Sequence, residues 1–168
     1  MARRETTTAA IALGLGLALA GCGGAPSTNR SGTYRGPNTL EFSLVQPHPQ
    51  QMPPEENQGS AEVIDNDETY LTLELRMFDR GEPPCRISAR RTGLNTLDVT
   101  PGQRCSSRFD YQGIPVAAEV RIDRGEATFR DGRLLVILEG NFAGQARTPA
   151  GVQAFTGEAS WRFEGAAE

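Results

Sequence analysis

Thr128-Phe129-Arg130-Asp131-Gly132-Arg133-Leu134-Leu135 is the stretch from which the fold is read. Asp-Gly supplies two positive φ angles at low cost, the requirement of a tight two-residue hairpin turn whose twist matches its strands. A turn centred there pairs Arg130 with Arg133, Phe129 with Leu134, Ala127 with Val136 and Gly125 with Leu138. Phe129, Leu134, Ala127 and Val136 then share one apolar face, while the charges at the turn stay in water. Side chains alternate across a strand with period two, so this pattern predicts an antiparallel hairpin with one buried side.

The same period recurs in both directions along the chain. Upstream, Leu71, Leu73, Leu75 and Met77 alternate with Thr72, Glu74 and Arg76 over 69–78, the clearest strand signal. Leu40, Phe42 and Leu44 alternate from Thr39. Ile87 and Ala89 point inward over 86–91, and Leu97 and Val99 over 96–100, before a Pro101-Gly102 turn. Val116, Ala118, Val120 and Ile122 alternate with charges over 115–123. Downstream, Phe155, Gly157, Ala159, Trp161 and Phe163 alternate with Thr156, Glu158, Ser160 and Arg162. These readings predict an all-β domain, an antiparallel meander of about seven or eight strands and no helix. A lone sheet leaves its apolar face bare, so the sheet closes as a small barrel of lipocalin-like architecture or folds as a β-sandwich. One departure stands out. Leu135 and Ile137 are apolar on the face opposite Leu134 and Val136, which predicts cover on that side, most simply from a loop of the same chain.

The first residues carry a different message. Arg3 and Arg4 precede an apolar run, Ala9–Ala20, that ends in Leu19-Ala20-Gly21-Cys22. The run is short of the roughly 20 residues a membrane-spanning helix needs. Charge, short apolar run, small residues and then Cys resemble the signal peptide and lipobox of bacterial lipoproteins. The resemblance covers residues 1–22 only. It implies cleavage after Gly21, a diacylglyceryl thioether on Cys22 and acylation of the new amine, palmitate included. It also implies a membrane partner through that anchor and an exported, cell-envelope location. Gly23 rather than Asp after the Cys resembles the outer-membrane default in a two-membrane cell. Residues 22–37, rich in Gly, Ser, Thr and Pro, read as a flexible tether, and 38–168 as a single β domain with a Pro-rich loop at 47–58.

Composition narrows the chemistry. The 168 residues carry a formal charge of -4, and all 17 basic residues are Arg. A mildly acidic chain of this kind is a poor nucleic-acid binder. With Cys22 lipidated, Cys85 and Cys105 remain as a pair. In an oxidising compartment an even remainder reads as a disulfide, here across a hairpin centred near Asn95. The single His, His48, lies between prolines and has no nucleophile motif near it. Asp65-Asn66-Asp67-Glu68 resembles a calcium loop only briefly, because Tyr70 and Arg76 stand where such a loop wants Gly and Glu; a polar turn is the better reading. No catalytic residue, metal site or cofactor is expected. The expected role is non-enzymatic: binding an envelope protein or a ligand. Candidate contacts are Trp161, the Leu135 and Ile137 face, and Arg90 and Arg91 in a basic cluster with Arg86, Arg104 and Arg108. Two alternatives stay open. One is a carrier of a small apolar ligand in a cavity lined by residues such as Phe129 or Trp161. The other is an envelope hydrolase using paired carboxylates in a cleft.

Overall fold

The computed structural model describes residues 30–77, 83–111 and 114–168. The signal segment, Cys22 and most of the expected tether lie outside these residues. Ten strands follow one another: β1 (Gly32–Gln46), β2 (Gln50–Gln51), β3 (Glu55–Asp65), β4 (Tyr70–Arg76), β5 (Cys85–Arg91), β6 (Thr96–Val99), β7 (Arg104–Tyr111), β8 (Ile114–Arg130), β9 (Arg133–Thr148) and β10 (Gly151–Ala167). The described chain is all-β and every pairing is antiparallel.

The sheet closes on itself. β1 pairs with β3 on one side and with β10 on the other, so that β1, β3, β4, β5, β6, β8, β9 and β10 form a ring of eight strands. The closing ladder is long, from Tyr34 opposite Ala167 to Gln46 opposite Thr156. β2 adds a two-residue rung to β1, and β7 pairs with the first half of β8.

The Asp131-Gly132 hairpin is the best-read element. Asp131 (φ 51°) and Gly132 (φ 74°) both occupy the left-handed region. All four expected pairs form, from Arg130 with Arg133 to Gly125 with Leu138. The inward residues of β4, β5 and β6 (Leu71, Leu73, Leu75, Ile87, Ala89, Leu97 and Val99) are all buried. On β10, Ala159, Trp161 and Phe163 are buried in turn.

Four expectations are corrected. The strand expected at 115–123 and the arm at 125–130 are one strand, β8, bent by a register shift between Ile122 and Arg124. β1 begins at Gly32, not after residue 37, so the tether gives up its last six residues. Tyr34, the one large apolar side chain in that stretch, is buried and supplies the physical reason. The loop expected at 47–58 is cut short by β2 and by β3, which begins at Glu55. β3 is polar and buries only Ala61 and Val63, so its period is faint. Finally, the cover expected over Leu135 and Ile137, most simply from a loop of the same chain, is only partial. They are half-buried on the outer face, and register sets Leu135 between Thr128 and Glu164 and Ile137 between Glu126 and Arg162.

One end of the ring is plugged. Tyr34 and Phe129 meet with ring centres 5.9 Å apart. The Arg30 guanidinium lies 5.6 Å over the Phe129 ring and donates to Asn95 Oδ1 at 2.6 Å. The Tyr34 hydroxyl donates to the Arg30 carbonyl at 3.2 Å. Burial pushes the Tyr34 phenol above its ordinary pKa, against a smaller opposing effect of Arg30.

Asp65–Glu68 forms the expected polar turn. Asp67 accepts hydrogen bonds from the backbone N–H groups of Thr69 (2.6 Å) and Tyr70 (2.7 Å). These bonds, chiefly that of Tyr70, hold its carboxyl below the ordinary carboxylate range. A depressed folded-state pKa stabilises above the unfolded value and is lost as pH falls through the folded one. Thermal melts of Asp67→Ala should therefore show a lower midpoint than the parent at neutral pH. The difference should vanish in acid strong enough to protonate the carboxyl in both states.

The bend of β8 depends on Gly140 of β9, where an added Cβ would collide with the Arg121 carbonyl oxygen and press on Ile122 Cα. Backbone cannot yield as a side-chain tip can. Gly140→Ala should cost on the order of 2 kcal/mol, read as a lower urea midpoint with an unchanged slope.

Candidate functional site

The other end of the ring is hollow. A cavity of about 280 Å³ lies between the sheet walls there, and its lining is overwhelmingly apolar. Its floor is made by Leu40, Ile122, Leu138 and Trp161, all buried. Above them three phenylalanines form an aromatic wall. Phe42 and Phe142 meet edge to face at 5.5 Å, and Phe142 and Phe155 are tilted at 5.8 Å. Val116, Ala118 and Val120 face it from β8.

Small residues keep the space open. Ala118, Ala146 and Ala159 line the cavity where larger side chains would fill it. Gly157, one rung from Ala159, sits against the Phe142 ring, and its Cβ would strike both that ring and the Ser43 carbonyl. The mouth is bordered by the turn after β1, with Pro47, Met52 and Pro53 in the lining, and by Met77 and Pro83 before β5. Met52 N–H donates to the Phe42 carbonyl at 3.0 Å, which ties this turn down over the aromatic wall. Charged and amide groups touch the lining at Glu55, Arg76, Glu139 and Gln153, all at least partly exposed.

Cys85 and Cys105 are joined and both line the cavity. The β5–β6 register pairs Arg91 with Leu97 and Ala89 with Val99. It is centred at Leu94, one residue before the expected Asn95, and simple continuation would set Gln103 opposite Cys85. The Pro101-Gly102 turn takes up the difference. Gln103 turns back onto β5 at Ser88, its amide accepting from Ser88 N–H (2.6 Å) and donating to the carbonyls of Ser88 and Thr100. Beyond this point β7 pairs with β8, and the disulfide is its covalent tie to β5.

The structure brings only part of the expected site together. Trp161 is 2% exposed and stacks on Phe163 at 5.6 Å with planes 8° apart, so it is both core and cavity floor. Phe129 is not in the lining; it packs at the plugged end. Leu135 and Ile137 sit on the outer face, away from the cavity. Arg91 pairs with Asp65 at 2.6 Å, both mostly buried, while Arg90 is exposed. Arg86 pairs with Glu74, and Arg104 with Glu119 at 2.7 Å, so these members of the basic cluster have acidic neighbours. His48 is exposed in the turn after β1. Carboxylates gather on the outside, where Glu41, Asp123, Glu139 and Glu158 border a shallow groove. There Asp123 takes Arg121 (2.9 Å) and Asn141, and Glu139 takes Arg124. This arrangement is a cross-strand network on an exposed face.

No protein-family model matches the chain, and no curated protein matches it. Among solved structures, a multidomain protein including DUF1735 from Bacteroides ovatus is similar at 12% identity and a TM-score of 0.35. That likeness covers 81% of this chain and 50% of the other, so the chain spans half the length of this neighbour.

The disulfide closes a separation of 20 residues. In the chain-entropy picture it stabilises by about 3 kcal/mol. The double variant Cys85→Ser with Cys105→Ser should unfold at a correspondingly lower urea concentration. Hydrogen exchange should quicken in β7 well before it does in the β9–β10 hairpin.

Proposed function

We propose that this chain is an exported, lipid-anchored protein of the cell envelope whose β domain binds a small apolar ligand in the end cavity. The observation that carries the binding reading is the cavity itself: about 280 Å³, apolar and walled by Phe42, Phe142 and Trp161. Ligand sites are concave and mostly apolar, from about 300 Å³ upward, so this one suits a molecule on the order of ten non-hydrogen atoms. Burying about 250 Å² of apolar ligand surface contributes about 6 kcal/mol, a Kd on the order of tens of micromolar. A filled interior would have been more stable, since unfilled apolar space forfeits dispersion contacts.

The lipobox resemblance at Leu19-Ala20-Gly21-Cys22 supports the anchor, and the Cys85–Cys105 disulfide fits an oxidising compartment. The chain enters the ring at Gly32, beside the plugged end, and β1 runs 15 residues toward the mouth. At about 3.3 Å per residue that is on the order of 45 Å. This separation favours a mouth turned away from the anchoring membrane, open to exchange with the aqueous side or with an envelope partner.

Naphthalene, of about ten non-hydrogen atoms, is a suitable probe. It should bind once per chain with a Kd of tens of micromolar by its own fluorescence. Ala118→Phe, which fills the lumen, should weaken this at least tenfold while the far-ultraviolet circular dichroism stays the same. Equal binding by both proteins would contradict the assignment. For the anchor, cells fed labelled palmitate should label the parent chain in the membrane fraction. Cys22→Ala should be unlabelled, and a label that persisted in this variant would remove Cys22 from the account.

A further inference from the structure

In the plugged half of the ring, β6 joins β5 to β8, pairing with residues 89–91 on one side and 126–128 on the other. In the hollow half β7 takes its place on β8, from Arg104 opposite Arg121 to Tyr111 opposite Ile114. Among the described residues β7 has no second ladder. The Thr100 N–H donates to the Ser88 carbonyl at 3.0 Å, and beyond that bond the cavity wall has a seam between β5 and β7. Side chains bridge it instead of backbone. At the end nearer the plug, the Gln103 amide bonds to Ser88 on β5. At the mouth, the Cys85–Cys105 disulfide holds the two strands with Cα atoms 5.2 Å apart.

The seam borders the ligand space directly. Leu75, Met77 and Cys85 line the cavity from one side of it, and Cys105, Ser106 and Val116 from the other. A strand edge without a ladder opens locally at low cost, because few hydrogen bonds are lost. β7 keeps its ladder to β8 when the disulfide is broken, so breaking it frees the seam and leaves the rest of the ring paired. Cys85, the first residue of β5, is half-buried, while Cys105 is 6% exposed. A thiolate arriving from outside therefore meets Cys85 Sγ first.

We propose that Cys85–Cys105 is a redox latch on the end cavity, closed as a disulfide and opened by a dithiol reductant. This rests on the cavity being a ligand site and adds how that site is emptied. One thiolate of the dithiol attacks Cys85 Sγ, a mixed disulfide forms, and the Cys105 sulfur leaves as a thiolate. The second thiolate of the dithiol then displaces Cys85 Sγ. The reductant departs as its own disulfide, two electrons pass to the protein, and the two cysteine sulfurs take up the two protons that the dithiol gave up. β7 parts from β5, and the apolar lumen meets water along its side. A ligand held by burial loses that burial. The apparent Kd is the intrinsic one divided by the closed fraction, so a wall closed in about one molecule in ten after reduction raises it about tenfold.

Naphthalene is the probe and dithiothreitol the dithiol. The chain has three cysteines, so in Cys22→Ala only Cys85 and Cys105 remain and free thiols can be counted directly. Without denaturant, dithiothreitol should release both thiols and weaken naphthalene about tenfold. Amide exchange should quicken in β7 while the β9–β10 hairpin keeps its protection, and reoxidation should restore binding. Bridging the two reduced sulfurs with one methylene group from diiodomethane gives a latch that a dithiol does not open. This form should bind naphthalene as the disulfide form does, with dithiothreitol or without it. Two free thiols with unchanged naphthalene binding would overturn the latch and leave the cavity reading in place. So would thiols released only in urea, since the bond would then be out of a reductant's reach in the folded protein. Loss of protection in β9 and β10 together with β7 would also overturn it, making the bond a staple of the whole domain. If the oxidised protein fails to bind naphthalene, the cavity reading and the latch fall together.

Discussion

The ladder between β1 and β10 is the constraint on which everything else depends. It joins the first strand of the described chain to the last, and without it the sheet would be an open ribbon with one bare apolar face. Closing a loop of more than 100 residues carries an entropic cost that grows slowly with length, but the native contacts that offset it are mostly non-local. Folding should accordingly be slow compared with a helical domain of the same size. The closure also removes both long edges of the sheet, which would otherwise invite pairing with other chains. It makes an inside, and an inside can be either packed or hollow.

The two ends of this ring solve that choice differently. At the end where the chain enters, Arg30, Tyr34 and Phe129 fill the lumen and Asn95 receives the guanidinium. Midway, Trp161 and Phe163 stack, and the leucines of β4 and β9 belong to the same buried core. At the far end alanines and glycines replace bulky residues on β8, β9 and β10, while the aromatic residues stand around a space instead of across it. The disulfide holds the mouth on the side where β5 and β7 lack a shared ladder. The Pro47–Pro53 turn, anchored by Met52, holds it on the other. The result is a walled, unfilled apolar space, and voids of this kind are costly in a domain of this size.

Much of the fold was legible because strand period and turn chemistry are local. Asp131-Gly132 determined a register that the structure reproduces pair by pair, and the leucines of β4 and the aromatic residues of β10 announced their faces. β3 was not legible, because Ser60, Glu62 and Ile64 alternate with just two small buried residues, Ala61 and Val63. Its place in the ring comes from being zipped between β1 and β4. Tyr34 was the signal that the tether ends early, a single large apolar residue among small polar ones. The cavity could not be read at all from period. An inward alternation of Val116, Ala118, Val120 and Ile122 looks the same whether the opposite wall touches it or stands off. Only the closure distance around eight strands, set by long-range pairing, decides that. Trp161 was recognised as inward-facing, but its place on a cavity floor depended on the same long-range geometry. The cysteine pair was legible by counting, although its register was shifted by the Pro101-Gly102 turn.

A crystal of the domain pressurised with xenon would reveal whether the far end of the ring is hollow. Xenon enters dry apolar cavities and avoids filled cores and wet grooves. A xenon peak should appear enclosed by Phe42, Phe142 and Trp161, with the plugged end around Phe129 and the outer acidic groove empty. Side chains filling that end of the ring, with no xenon inside, would contradict it.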